Sequence, residues 1–112
     1  MFAFMNVENA KAQMRKGILE LCILGIIEKE KEAYPSDIIQ IMKKAEIIVV
    51  EGTLYPLLSR LKKGGLLQYK WVESNSGPPR KYYTLTGDGS QYYLELKASW
   101  FNLSESVSKI IK

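Results

Sequence analysis

The sequence predicts a mainly α-helical fold with one small β-hairpin, and three observations predict it. Apolar residues recur at helical spacing over three early stretches and one long late one, the period changes from 3.6 to 2 between Leu67 and Leu85, and a Ser/Asn/Gly/Pro cluster interrupts that alternating run. At 112 residues, with 46% hydrophobic and 25% charged side chains, the chain has the composition of one ordinary folded domain.

The first helix is expected over 10–32. It is apolar nearly all round from Ile18 to Ile27, broken by Glu20, and such a helix sits centrally. That run is about half the length of a membrane span. The charged stretch Glu28 to Glu32 follows it in place of a cleavage site, so the expectation is a cytoplasmic protein with no membrane partner. A second helix is expected over 35–44, opened by Pro35, whose missing N–H has no helical partner in the first turn, and buried through Ile38, Ile41 and Met42. A short apolar linker, Glu46 to Val50, leads to a third helix over 52–64, where Leu54, Leu57, Leu58 and Leu61 recur at i, i+3, i+4 and i+7 and Gly64-Gly65 stops the run. The hairpin is expected over 67–85, with Ser74 to Pro79 as its loop. Thr86 is placed to cap a last helix over 87–112, with Asp88 favoured in the first turn by the helix dipole.

The composition removes most enzyme chemistry. With no histidine and a single cysteine, one subunit can build no His-based triad, no Cys/His zinc site and no internal disulfide, and neither a metal nor a cofactor is expected. Cys22 lies in the apolar helix, where a thiol behaves as a small hydrophobe. The net charge of +4 is concentrated: Glu51 to Leu85 carries six basic and two acidic residues, whereas the rest of the chain balances. A basic third points to a polyanionic partner.

Three helices followed by a hairpin is the order of a winged helix-turn-helix, completed here by the C-terminal helix. The leucines of the third helix occupy one side, and Tyr55, Pro56, Ser59, Arg60 and Lys63 fall on the other. Cations mixed with short polar groups and a ring suit a major groove. Arg80 and Lys81 follow the proline-stiffened tip, where they can track a phosphate backbone. The expected partner is double-stranded operator DNA; the alternative is a protein-docking module without sequence preference.

The runs Glu51-Gly52-Thr53-Leu54-Tyr55-Pro56-Leu57-Leu58-Ser59-Arg60-Leu61, Gly65-Leu66-Leu67 and Gly77-Pro78-Pro79-Arg80-Lys81-Tyr82-Tyr83-Thr84-Leu85-Thr86, with Gly89, closely resemble the PadR family of bacterial transcriptional regulators. The resemblance implies a homodimeric winged helix protein that binds operator DNA, usually as a repressor, and releases it when a small molecule binds. It places Thr53 with the DNA-facing residues and carries Tyr34 over as a backbone contact. The single short C-terminal helix is similar to the compact subfamily that includes multidrug-sensing regulators. Two departures stand out: Tyr34-Pro35-Ser36-Asp37 replaces the frequent Tyr-Gly-Tyr-Glu, and Val50 stands where a serine-like cap is common.

In the last helix Tyr93, Leu96, Trp100, Leu103, Val107 and Ile110 are spaced 3, 4, 3, 4 and 3 apart, a heptad seam expected to form the dimer interface, the alternative being an amphipathic helix that covers its own subunit's core. Trp100 sits mid-seam. In the resembling multidrug regulators a tryptophan at this place faces its twofold mate and sandwiches flat aromatic ligands, which implies a planar aromatic effector held by Trp100 and Leu96. Met14, with Met1, Phe2, Phe4 and Met5, is expected to line or cover that site.

Overall fold

In the computed structural model, which describes residues 5–112, the first helix starts earlier than its apolar run implies. The Asn6 carboxamide oxygen accepts from the Glu8 and Asn9 amides at 2.8 and 3.3 Å and caps α1 (Val7–Glu30). Lys31 takes a φ of 73° and turns the chain out of the helix, so the expected range 10–32 is corrected at both ends. α2 (Pro35–Lys44) has the expected bounds, with the Tyr34 amide donating to Asp37 Oδ2 at 3.0 Å. α3 (Glu51–Lys63) is shifted by one residue from the expected 52–64. Val50 caps it through its carbonyl alone, which accepts from Thr53 and Leu54 at 3.0 Å each, as a residue without a side-chain acceptor must. At the far end Gly65 adopts φ +83°, and the Gly65 and Leu66 amides donate to the Lys62 and Leu61 carbonyls at 3.0 Å. This left-handed stop is why glycine follows the helix.

Strands β1 (Leu67–Ser74) and β2 (Gly77–Leu85) pair antiparallel, with Leu67 opposite Leu85, Tyr69 opposite Tyr83 and Trp71 opposite Lys81. The expected loop over 74–79 is corrected to a turn at Asn75 and Ser76, because Gly77-Pro78-Pro79 continues β2. A two-stranded ribbon has open outer edges, and its register slips between Val72 and Ser74; both features accommodate residues that lack an N–H. The base of the hairpin is tied to the chain leaving α1 by a backbone pair that periodicity did not reveal. Ala33 and Tyr83 exchange amide-to-carbonyl bonds of 3.1 and 2.9 Å.

Ile23, Leu24 and Ile27 of α1, Ile38 and Met42 of α2, and Leu54, Leu58 and Leu61 of α3 form the core, closed at the hairpin base by Leu67 and Tyr83. α4 (Gly87–Ile111) begins where Thr86 does two things at once. Its Oγ1 accepts from the Gly89 amide at 2.9 Å, and its hydroxyl donates to the Gly65 carbonyl at 2.6 Å. Gly89 is obligatory in this joint, since a Cβ there would lie 2.0 Å from the Leu66 carbonyl oxygen. Farther along, the Tyr93 ring covers Gly25 of α1, and Leu96 packs at the edge of the same core. The predicted seam is therefore divided. Tyr93 and Leu96 are partly buried within their own chain, whereas Trp100, Leu103, Val107 and Ile110 remain exposed.

Candidate nucleic-acid interface

Burying the leucines of α3 dictates what the helix shows outside. Thr53, Tyr55, Pro56, Ser59 and Lys63 are all exposed. The hairpin flanks this face, and the two-residue alternation of a strand sends its adjacent cations to opposite sides. The Lys81 ammonium lies 4.5 Å from the Tyr69 ring centre and 5.2 Å from that of Trp71, and Lys62 of α3 reaches within 5.3 Å of Tyr69. Aromatic faces are negative, so they hold these ammonium groups in place while leaving them able to meet an anion.

Arg80 faces the other way. Its guanidinium stacks 3.9 Å from the Tyr34 ring centre, and its Nη2 donates to Ser36 Oγ at 2.8 Å. Tyr34 in turn stacks on Tyr82, with centroids 3.8 Å apart and planes 20° from parallel. The two wing cations are thus differently engaged: Arg80 links the hairpin to the start of α2, its guanidinium stacked on Tyr34. Between the α2 start, α3 and the hairpin runs a cleft of about 320 Å³ lined by Tyr34, Ser36, Tyr55, Trp71, Arg80 and Lys81, with Glu51 at its edge.

Arg60 stays largely exposed, yet its guanidinium pairs with Glu20 of α1, whose other oxygen accepts from the Tyr92 hydroxyl at 2.6 Å. Ser36, Trp71, Lys62 and Glu20 are the residues the sequence reading missed at this site. Glu20 carried a signal, as the charge interrupting an otherwise apolar run. Ser36 carried none, because its role depends on where the hairpin docks.

A second, smaller cleft of about 130 Å³ lies between α1 and α4, lined by Gly17, Ile18, Leu21, Leu96, Ser99, Trp100 and Leu103. Leu96 and Trp100 are therefore together, as expected, but Met14 is not with them: it is exposed one helical turn toward the start of α1. Met5 is likewise exposed, and Met1, Phe2 and Phe4 lie outside the described residues. Among the described residues no group of three His, Cys, Asp or Glu side chains could hold a metal, and no helix is long and apolar enough to cross a membrane.

Residues 23–95 match the model of the transcriptional regulator PadR-like family. A PadR-like transcription factor from Bacteroides fragilis is 62% identical and superimposes with a TM-score of 0.76, covering 91% of this chain and 98% of that one. A PadR family transcriptional regulator from Eggerthella lenta superimposes with a TM-score of 0.85 at 31% identity, over 95% of this chain and 92% of the other. Bacillus subtilis PadR, solved in complex with operator DNA, is 26% identical with a TM-score of 0.65; the match covers 70% of this chain and 45% of that protein. These relatives are transcriptional regulators rather than enzymes. A winged helix-turn-helix with a C-terminal helix, matched along most of its length to these proteins, makes the chain a member of the PadR-like family of transcriptional regulators.

Proposed function

We propose that the chain is a homodimeric, sequence-specific DNA-binding repressor. The observation that carries this reading is the continuity of the exposed α3 face with the Lys81 side of the hairpin across one aromatic, cationic cleft. A helix in the major groove and a hairpin beside it straddle one phosphate strand. Thr53, Tyr55, Pro56, Ser59 and Lys63 form the groove face and Lys81 the wing contact, while Tyr34 and Arg80 fix the angle between them. The exposed stripe of α4, from Trp100 through Leu103 and Val107 to Ile110, is the dimer surface. A twofold axis then presents two α3 helices to a palindromic site. Fragments of the source genome enriched by the purified protein, titrated against scrambled duplexes over a range of salt, test the reading. Preference among sequences together with a falling log affinity against log salt is expected; binding without sequence preference would refute it.

The effector reading rests on Trp100. In the dimer, two Trp100 rings from one sequence position flank the twofold axis, and the α1–α4 clefts extend the apolar walls. A planar aromatic cation would stack between the rings and gain from the cation–π attraction, for which tryptophan is the best partner. An effector that favours a spacing of the two wings other than the one that fits DNA lowers DNA affinity. Planar dyes should quench the tryptophan fluorescence of the wild type more than that of Trp100→Ala, in which Trp71 reports alone; equal quenching removes the site from Trp100.

A further inference from the structure

Glu20, Arg60 and Tyr92 meet across three elements, 40 and 72 positions apart in sequence. The Glu20 side chain is mostly sheltered, at 19% exposure, whereas that of Arg60 is 66% exposed. The carboxylate divides its oxygens: one accepts from the Tyr92 hydroxyl at 2.6 Å and the other from Arg60 Nη2. The Tyr92 bond orients the carboxylate from α4, so the acceptor is already aimed at α3 and little side-chain freedom remains to be lost. A carboxylate so placed offers a guanidinium the same single negative charge as a phosphodiester and an anionic oxygen to accept its hydrogen bond.

Arg60 lies on the flank of α3 between the outward face and α1. A guanidinium is long and carries five donors, of which this pairing uses few. The guanidinium side of the pair is open to solvent, which weakens the attraction, so an external phosphate can compete with Glu20, yet the competition lowers the gain from such a contact. We propose that Glu20 is a positioning residue that acts through Arg60: it occupies the guanidinium in place of DNA phosphate and so holds non-specific DNA affinity down, without touching DNA. The inference rests on the DNA-binding reading above.

The test uses a fluorescein-labelled duplex of mixed sequence, with the wild type, Glu20→Gln, Arg60→Ala and the double variant compared by anisotropy between about 50 and 200 mM KCl. Gln keeps the volume of Glu20 and an acceptor for Tyr92, and Glu20→Ala carries the same expectation should the Gln variant misfold by circular dichroism. Freeing Arg60 adds one phosphate contact, so Glu20→Gln should bind more tightly and steepen the log–log salt slope by about 0.9; its advantage over wild type should shrink roughly 3–4-fold across that range. Arg60→Ala should keep the wild-type slope, and the double variant should match it. An unchanged slope in Glu20→Gln overturns the proposal. So does a double variant that retains the steeper slope, which would make the gain a general effect of removing one negative charge, and so does an Arg60→Ala slope shallower than wild type. Failure of the wild type to bind any duplex defeats the DNA-binding reading itself, an outcome distinct from binding that Glu20 does not modulate.

Discussion

Arg80 and Lys81 are neighbours of the same charge with different work, and the difference is measurable. Arg80→Ala removes a ring-stacked guanidinium and its bond to Ser36, so it should lower stability by about 1 kcal/mol in urea unfolding. Lys81→Ala, which loses two looser ring contacts and no hydrogen bond, should lower the unfolding midpoint less than Arg80→Ala does and reduce the salt slope of DNA binding by about 0.9. Sequence supplied both residues and their distance from the turn. It did not distinguish them, because the distinction depends on which side of the ribbon faces α2, and that follows from the Ala33–Tyr83 pairing and the Tyr34–Tyr82 stack.

At the scale of the element, α4 joins two environments. Its start is fixed by contact with the turn after α3, and Gly89→Ala would drive a methyl group into the Leu66 carbonyl. Backbone on both sides leaves little room to yield. The variant should lose more than about 2 kcal/mol, seen as a lowered urea midpoint, whereas Gly87→Ala, with open space around it, should be tolerated. The other end of α4 is apolar and uncovered, with Leu103 at 59% and Ile110 at 82% exposure. Leu103→Glu would place two like charges in the proposed interface, and sedimentation should show a dimer dissociation constant raised by more than about tenfold. The heptad spacing made this stripe legible. It could not show that Tyr93 and Leu96 turn inward, since helical spacing sets which residues share a face and not which neighbour that face meets.

For the molecule as a whole, several protons are held more firmly in the fold than in the unfolded chain. Burial pushes the Cys22 thiol above its ordinary 9.0, burial raises the Tyr83 phenol, and the bond to Glu20 raises that of Tyr92, both above the ordinary 10.0. Each group is protonated at neutral pH in both states. As the pH climbs past 9 to 10 the unfolded chain releases these protons first, so their contribution, complete at lower pH, is lost as the pH rises through the folded values. The denaturation midpoint should therefore fall steadily above about pH 9, and the fall should be smaller in Tyr92→Phe. An alkaline-insensitive midpoint would show that these groups titrate alike in both states.

Periodicity and turn chemistry were sufficient for the order of elements and for the two faces of α3. Burying Leu54, Leu58 and Leu61 forces Ser59 and Lys63 outward whatever the neighbours are. The capping roles of Thr86 and Gly65 were legible for the same reason, being made within a few residues of chain. The lengths of α1 and of the hairpin loop were less so: Asn6 and Lys31 act through single local conformations, and the prolines of β2 read as loop until the strand beside them is known. What tertiary structure alone decided is the assignment of the charges. Arg60 to Glu20, Arg80 to Tyr34 and Lys81 to Tyr69 are partnerships between elements remote in sequence or across a ribbon. A cation's side chain is long enough to reach several faces, and which one it takes depends on the partners that packing brings within a few ångströms.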